Sequence, residues 1–219
     1  MIHYHGTPIG GRREDAAKRL AGRHALVPFP RQDDIDFVAE ACKSFVFDNG
    51  AFSVWKKGGE LDVDGYTRWV EEWHRHPGFT WALIPDVIDD NEEANDSLVR
   101  QWPEELCGVP VWHLHESLDQ LQRLERCWRT VAIGSSGQRR SPGTAAWLKR
   151  MAAAIDSICD EHGRPICRLH GLRMLDPAIF SALALHLRRL NECRSKRRQH
   201  QPIRHVCPAH GRPEGLRHR

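Results

Sequence analysis

The sequence predicts an incomplete (β/α)8 TIM barrel, an α/β fold of about seven β/α units followed by a basic irregular tail. Short β-rich runs alternate with amphipathic helical stretches, nearly every run ends in a polar or glycine-containing turn, and the alternation stops near Leu185. Residues 1–185 carry 22 Lys+Arg against 27 Asp+Glu, whereas residues 186–219 carry 10 against 2 with 5 of the 14 histidines. The formal balance moves from −5 to +8 across that point. Two regions are therefore expected: a barrel-like domain over 1–185 that lacks its eighth strand, and a disordered basic tail over 186–219.

The predicted strands, in order, are Ile2–His5, His24–Phe29, Ser44–Phe47, Thr80–Ile84, Val109–His113, Thr130–Ile133 and Cys167–Leu172. Between and after them, the helical pattern falls at 13–20, 33–42, 65–75, 91–101, 117–127, 144–161 and 176–184, with Asp64 and Ser117 as start signals. Seven units in 185 residues give a period of about 26, close to that of a barrel built from eight units in about 250 residues. An open doubly wound sheet uses the same alternation, and the position of the polar residues favours the barrel. The turns His5-Gly6-Thr7-Pro8-Ile9-Gly10-Gly11, Asp48-Asn49-Gly50, Pro85-Asp86, His113-Leu114-His115-Glu116, Gly134-Ser135-Ser136-Gly137 and His170-Gly171-Leu172-Arg173 all follow strands. In a closed barrel these ends converge on one mouth.

A chain of 219 residues, 40% of them hydrophobic, suits one domain with a sizeable core or an incomplete version of a larger one. Its first residues lack a secretory pattern and no apolar run reaches the roughly 18 residues of a spanning helix, so a cytoplasmic location is expected. Seven scattered cysteines without a Cys-x-x-Cys pair read as reduced thiols. The net charge of +3 arises from the tail, which makes whole-chain charge a poor argument for nucleic-acid binding.

The sharpest candidate site is Phe45-Val46-Phe47-Asp48-Asn49-Gly50-Ala51-Phe52-Ser53. A carboxylate directly after bulky apolar residues emerges with limited solvation, which raises its pKa and suits it to proton transfer near neutrality. The competing reading is an aspartate that caps its own turn. Asp86 has the same setting after Trp81-Ala82-Leu83-Ile84-Pro85, while Asp89, Asp90, Glu92 and Glu93 read as a solvated helix start. Two such carboxylates at one mouth can bind a base edge, act as acid and base, or attack as nucleophile. Gly134 to Gly137 offers a cradle for phosphate or a carbonyl oxygen, and is equally ordinary loop chemistry. His3-x-His5 and His113-x-His115 have the spacing of strand-borne metal ligands, against the plainer reading of histidines satisfied by backbone. Trp69 and Trp73 mark a packed helix face, and Trp55-Lys56-Lys57-Gly58-Gly59 reads as a loop able to meet a nucleobase and phosphate.

Taken together, Asp48 to Ser53, Pro85-Asp86, Ile133 to Gly137 and His170-Gly171-Leu172 resemble the strand ends of the tRNA-guanine transglycosylase superfamily, especially its phage and bacterial relatives acting on 7-deazaguanines in DNA. The similarity covers roughly residues 1–185, with Asp48 to Ser53 standing where that superfamily typically has Asp-Ser-Gly-Gly-Phe-Gln. It implies a (β/α)8 barrel that exchanges guanine in tRNA or DNA for a deazaguanine such as preQ0, preQ1 or queuine, without a soluble cofactor. By position, Asp48 would recognise the base and handle protons, Asp86 would bind the base edge, and Gly134 with Ser135 would meet the purine carbonyl. The expected substrate-binding set is Asn49, Gly50, Phe52, His115, Gly134, Ser135, Gly137, His170 and Gly171, with no metal ligand.

The superfamily's nucleophile is an aspartate on the eighth strand. Here the segment from His186 to Arg194 has no apolar run and no aspartate, so catalysis is expected to be impaired. Read one nucleotide downstream, codons for Arg189 to Cys193 permit Asp-Ser-Thr-Asn, and those for Arg204 to His210 permit Gly-Thr-Tyr-Ala-Pro-Pro-Thr. A frameshift near residue 185 accounts for both. The superfamily's structural zinc site is also not evident, since Cys207 and His210 supply two ligands at most. An open barrel has two unpaired edges, which predicts marginal stability and a route to homo-oligomers. Two other functions are compatible with the sequence: a metal-dependent barrel hydrolase using His3, His5, His113, His115, His170 and Asp86, and a non-catalytic nucleic-acid-binding remnant using the tail.

Overall fold

A computed structural model describes residues 2–8, 12–88, 91–135, 141–174 and 179. The chain alternates strand and helix as β1 (Tyr4–Gly6), α1 (Arg13–Leu20), β2 (His24–Pro28), a 3-10 segment (Phe29–Asp34), α2 (Ile35–Ala41), β3 (Ser44–Asp48), α3 (Ala51–Lys56), α4 (Val63–Trp73), β4 (Phe79–Leu83) and α5 (Glu92–Gln101). It continues through β5 (Gly108–Val109), β6 (Val111–His113), α6 (Leu118–Cys127), β7 (Thr130–Gly134), α7 (Ala145–Ser157) and β8 (Arg168–Gly171). All strand pairing is parallel and follows sequence order, β1 to β5 in one sheet and β6 to β8 in another.

The predicted run Val109–His113 is divided at Pro110, which has no N–H to give to a ladder. Val109 pairs back to Leu83, while the Pro110 carbonyl accepts from Ala132 N at 2.8 Å, so this segment joins the two sheets. Alternate residues then face opposite sides. Phe45 and Phe47 pack with Val38, Val70 and Trp69 beneath the helices. Val46 instead packs with Trp81, Leu83, Val109, Val111 and Ala132, side chains drawn from both sheets. The inner faces of the two sheets meet one another, so the described residues form an incomplete, unclosed barrel-like arrangement of parallel strands and intervening helices. Its outer strands, β1 and β8, are not paired with each other. The ring of Tyr4 nevertheless reaches that of His170, at 5.8 Å between centroids.

Several boundaries differ from expectation. The second helix begins at Ile35, because Phe29–Asp34 forms 3-10 turns. The fourth begins at Val63, and the cap is Asp62, which accepts from Gly65 N at 2.8 Å, in place of Asp64. The seventh ends at Ser157 rather than 161. Ser117 caps α6 as expected, accepting from Gln120 N. Ala51–Lys56 is helical and takes in Trp55 and Lys56, which were expected on a loop: Gly50 at φ +78° turns the chain straight into α3. Trp69 is buried and stacks on Phe47 at 3.8 Å, as a packed helix face requires. Cys42, Cys107 and Cys167 are free thiols, whereas Cys127 is disulfide-bonded, so the expectation of uniformly reduced cysteines does not hold. No helix among the described residues is long and apolar enough to cross a membrane. The Ile9 to Gly11 turn, Asp89 and Asp90, the helix expected at 176–184 apart from Ile179, and the tail lie outside the described residues.

Candidate functional site

A cavity of about 330 Å³ lies at the C-terminal ends of the strands. Asp48 and Asn49 reach it from the end of β3, Asp86 from beyond β4, His113 from β6, Gly134 and Ser135 from β7, and His170 and Gly171 from β8. Tyr4, Leu26, Leu83, Ile88 and Leu172 supply apolar wall. Trp81, outside the lining, packs edge to face against two lining rings, His170 at 4.8 Å and Tyr4 at 5.7 Å. Burial lowers the His170 pKa to about 4, so its ring is neutral at physiological pH.

Asp48 follows Phe45-Val46-Phe47, whose side chains are fully buried, and the same packing desolvates its carboxyl. Desolvation raises its pKa to about 6; a hydrogen bond from Gly50 N to Oδ1 at 2.7 Å opposes the rise, and the charge of Asp86 adds to it. The local features expected of this aspartate are both present. It caps its own turn, and it is a cavity-lining acid poised near neutrality.

Asp86 is buried and held at both oxygens. Asn49 Nδ2 donates to Oδ1 at 2.7 Å and also to the Ile84 carbonyl at 2.9 Å. His113 Nε2 lies 2.8 Å from Oδ2, and a carboxylate there fixes the ring's N–H on that nitrogen. The network continues outward: Glu116 Oε2 accepts from His113 N at 2.7 Å, and Glu116 Oε1 accepts from Asn95 Nδ2 at 2.8 Å. Burial raises the Glu116 pKa. From the other side, Tyr66 Oη donates to the Leu83 carbonyl at 2.8 Å, anchoring the end of β4. Its pKa is pushed well above the usual range by burial, then by Asp48 and Asp86. One polar layer thus joins α4, α5 and the ends of β3, β4 and β6 around the cavity.

The expected residues do not all meet. Gly50 does not line the cavity; its positive φ and the Pro30 ring, which a Cβ would approach to 2.5 Å, account for the glycine. His115 is exposed and outside the lining, because the chain leaves the strand after His113 and turns its next-but-one residue to solvent. Gly134 serves a neighbour: a Cβ there would come within 2.6 Å of His113 Nδ1. Ser135 Oγ accepts from Trp147 Nε1 at 3.1 Å, and Gly137 lies outside the described residues. Phe52 lines the cavity from α3. His3 lines it too, but His5 does not, and among the described residues no three His, Cys, Asp or Glu side chains are grouped to hold a metal ion. Asn95 and Tyr66 were not expected at the site, and Glu116 and Arg173 were expected only as members of strand-end turns. Asn95 was visible only as an amide interrupting the inward face of a predicted helix.

An apolar cavity with two carboxylates at the C-terminal ends of parallel strands is the ligand-site arrangement of (β/α) barrels. No protein-family model, curated protein or solved structure matches the chain.

Proposed function

We propose that this chain is a base-exchange transglycosylase by construction, binding a guanine or 7-deazaguanine base in its cavity and acting on guanine in tRNA or DNA. One observation carries the reading: Asp48, its pKa raised to about 6, and the held Asp86 face the same cavity, which Tyr4, Phe52 and His170 also line. A purine-type base needs this combination. Apolar walls take its faces, a fixed carboxyl oxygen accepts from its N–H edge, and a second carboxyl with a raised pKa gives or takes the proton that changes place when the base leaves its sugar. Asp86 is the natural acceptor, because Asn49 and His113 fix its orientation before any ligand arrives. Asp48 is the proton-handling group.

Exchange also requires a nucleophile at the anomeric carbon. The resemblance assigns it to the eighth barrel strand, and the sequence after Leu185 offers no aspartate for it. The chain as translated is therefore a base binder with impaired exchange. Incubation with nucleic acid and labelled preQ0, followed by mass spectrometry for a covalent adduct, tests the reading in this chain and in a frame-corrected version. The corrected chain should form the adduct and incorporate label, and this chain should not. If the frame-corrected chain forms no adduct with either tRNA or DNA, the reading fails.

A further inference from the structure

We propose that Arg173, Phe52, Trp55 and Lys56 form a docking track for single-stranded nucleic acid. In this arrangement, phosphates pair with the two cations, and the base adjoining the one in the cavity stacks on Trp55. The proposal rests on the base-binding reading for what enters the cavity and adds where the strand runs.

The four side chains form one stripe. The Arg173 guanidinium carbon lies 3.9 Å from the Phe52 ring centroid, and the Phe52 and Trp55 rings lie 5.7 Å apart. Lys56 follows Phe52 by four residues on α3, placing it one turn along the same face. Phe52 and Arg173 line the cavity, whereas Trp55 and Lys56 do not, so the stripe starts at the mouth and runs outward. Trp55 is 40% exposed, in a chain whose other large aromatic side chains are mostly packed. Arg173 has φ 60°, a left-handed conformation few non-glycine residues adopt.

Among the described residues, no carboxylate forms an ion pair with Arg173, Lys56 or Lys57. A guanidinium lying over a ring keeps its N–H groups directed outward in its own plane, where phosphate oxygens can take them. Cations alternating with an exposed aromatic face match a polyanion that also carries flat bases. An acidic peptide would engage the cations but has no base to lay on Trp55.

The test uses the full chain and fluorescently labelled single-stranded oligonucleotides, ribo and deoxyribo, titrated at several salt concentrations. Trp55→Ala should weaken binding about 10-fold, the usual loss for one base–aromatic stack. Arg173→Ala should weaken it and flatten the slope of log K against log salt by about 0.7, the value for one phosphate contact on a single strand. Trp55→Ala and Lys56→Gln should leave binding of free 7-deazaguanine unchanged. If both of these variants hold the oligonucleotides as tightly as the wild type, the track is wrong. It is equally wrong if polyglutamate of the same length binds as well and ignores Trp55→Ala. Should the free base fail to bind while the variants still lose oligonucleotide affinity, the base-exchange reading falls and the track stands.

Discussion

Asp48→Asn isolates the desolvated carboxyl on which the site depends. In the native state the Asp48 pKa rises from its ordinary 3.8 to about 6. Between those two values the native protein binds more protons than the unfolded chain, so stability falls as pH rises through the window and stays reduced above it. At 1.36 kcal/mol per unit, the displacement corresponds to about 3 kcal/mol. Asp48 sits on a cavity wall that solvent can reach, which trims the figure to about 1–3 kcal/mol. Asparagine removes the charge and keeps an Oδ1 acceptor for Gly50 N. Urea denaturation of both proteins from pH 4 to 8 reads the effect as a difference, which cancels other titrations such as that of His170. The variant should gain about 1–3 kcal/mol over the wild type as pH rises from 4 to 7, then hold that gain. A difference that stays level across the range would refute the desolvation argument.

Three further outcomes follow from the same geometry. Asp86→Ala strands the Asn49 amide and the His113 N–H in a buried setting and should cost about 2–4 kcal/mol in chemical denaturation. Gly134→Ala sets a methyl 2.6 Å from His113 Nδ1 and should cost about 1–3 kcal/mol; in a His113→Ala background most of that cost should vanish, as a double-mutant cycle would show. Gly50→Ala meets both a positive φ of 78° and Pro30 Cδ at 2.5 Å, so its melting temperature should fall by several degrees, about 1–3 kcal/mol of stability.

The curved parallel sheet was legible because alternation along each strand is a local property: Phe45, Val46 and Phe47 show that both faces are buried before any partner is known. The cavity acids were legible for the same reason, since a polar residue that ends an apolar strand must emerge at the strand's end. Partners were not. The contacts of Asp86 with Asn49 and His113 span 37 and 27 residues, and the contact of Asn95 with Glu116 spans 21, distances that propensity and spacing do not register. Helix α3 was missed because Asp48-Asn49-Gly50 reads as a turn and Trp55 to Gly59 as a loop until the left-handed glycine is seen to start a helix at once. His115 was overcounted because the period of two that places His113 on the cavity lapses where the strand ends at that residue.

The central claim is that the cavity binds a guanine-type base through Asp48 and Asp86, and isothermal titration of the full chain with preQ0 and guanine tests it most directly. The account predicts saturable one-to-one binding. Affinity should fall about 10- to 100-fold in Asp86→Asn, the loss expected for a charge-assisted hydrogen bond, and binding should be unchanged on deleting residues 186–219. Absence of heat with either base, or equal affinity in wild type and Asp86→Asn, would contradict it.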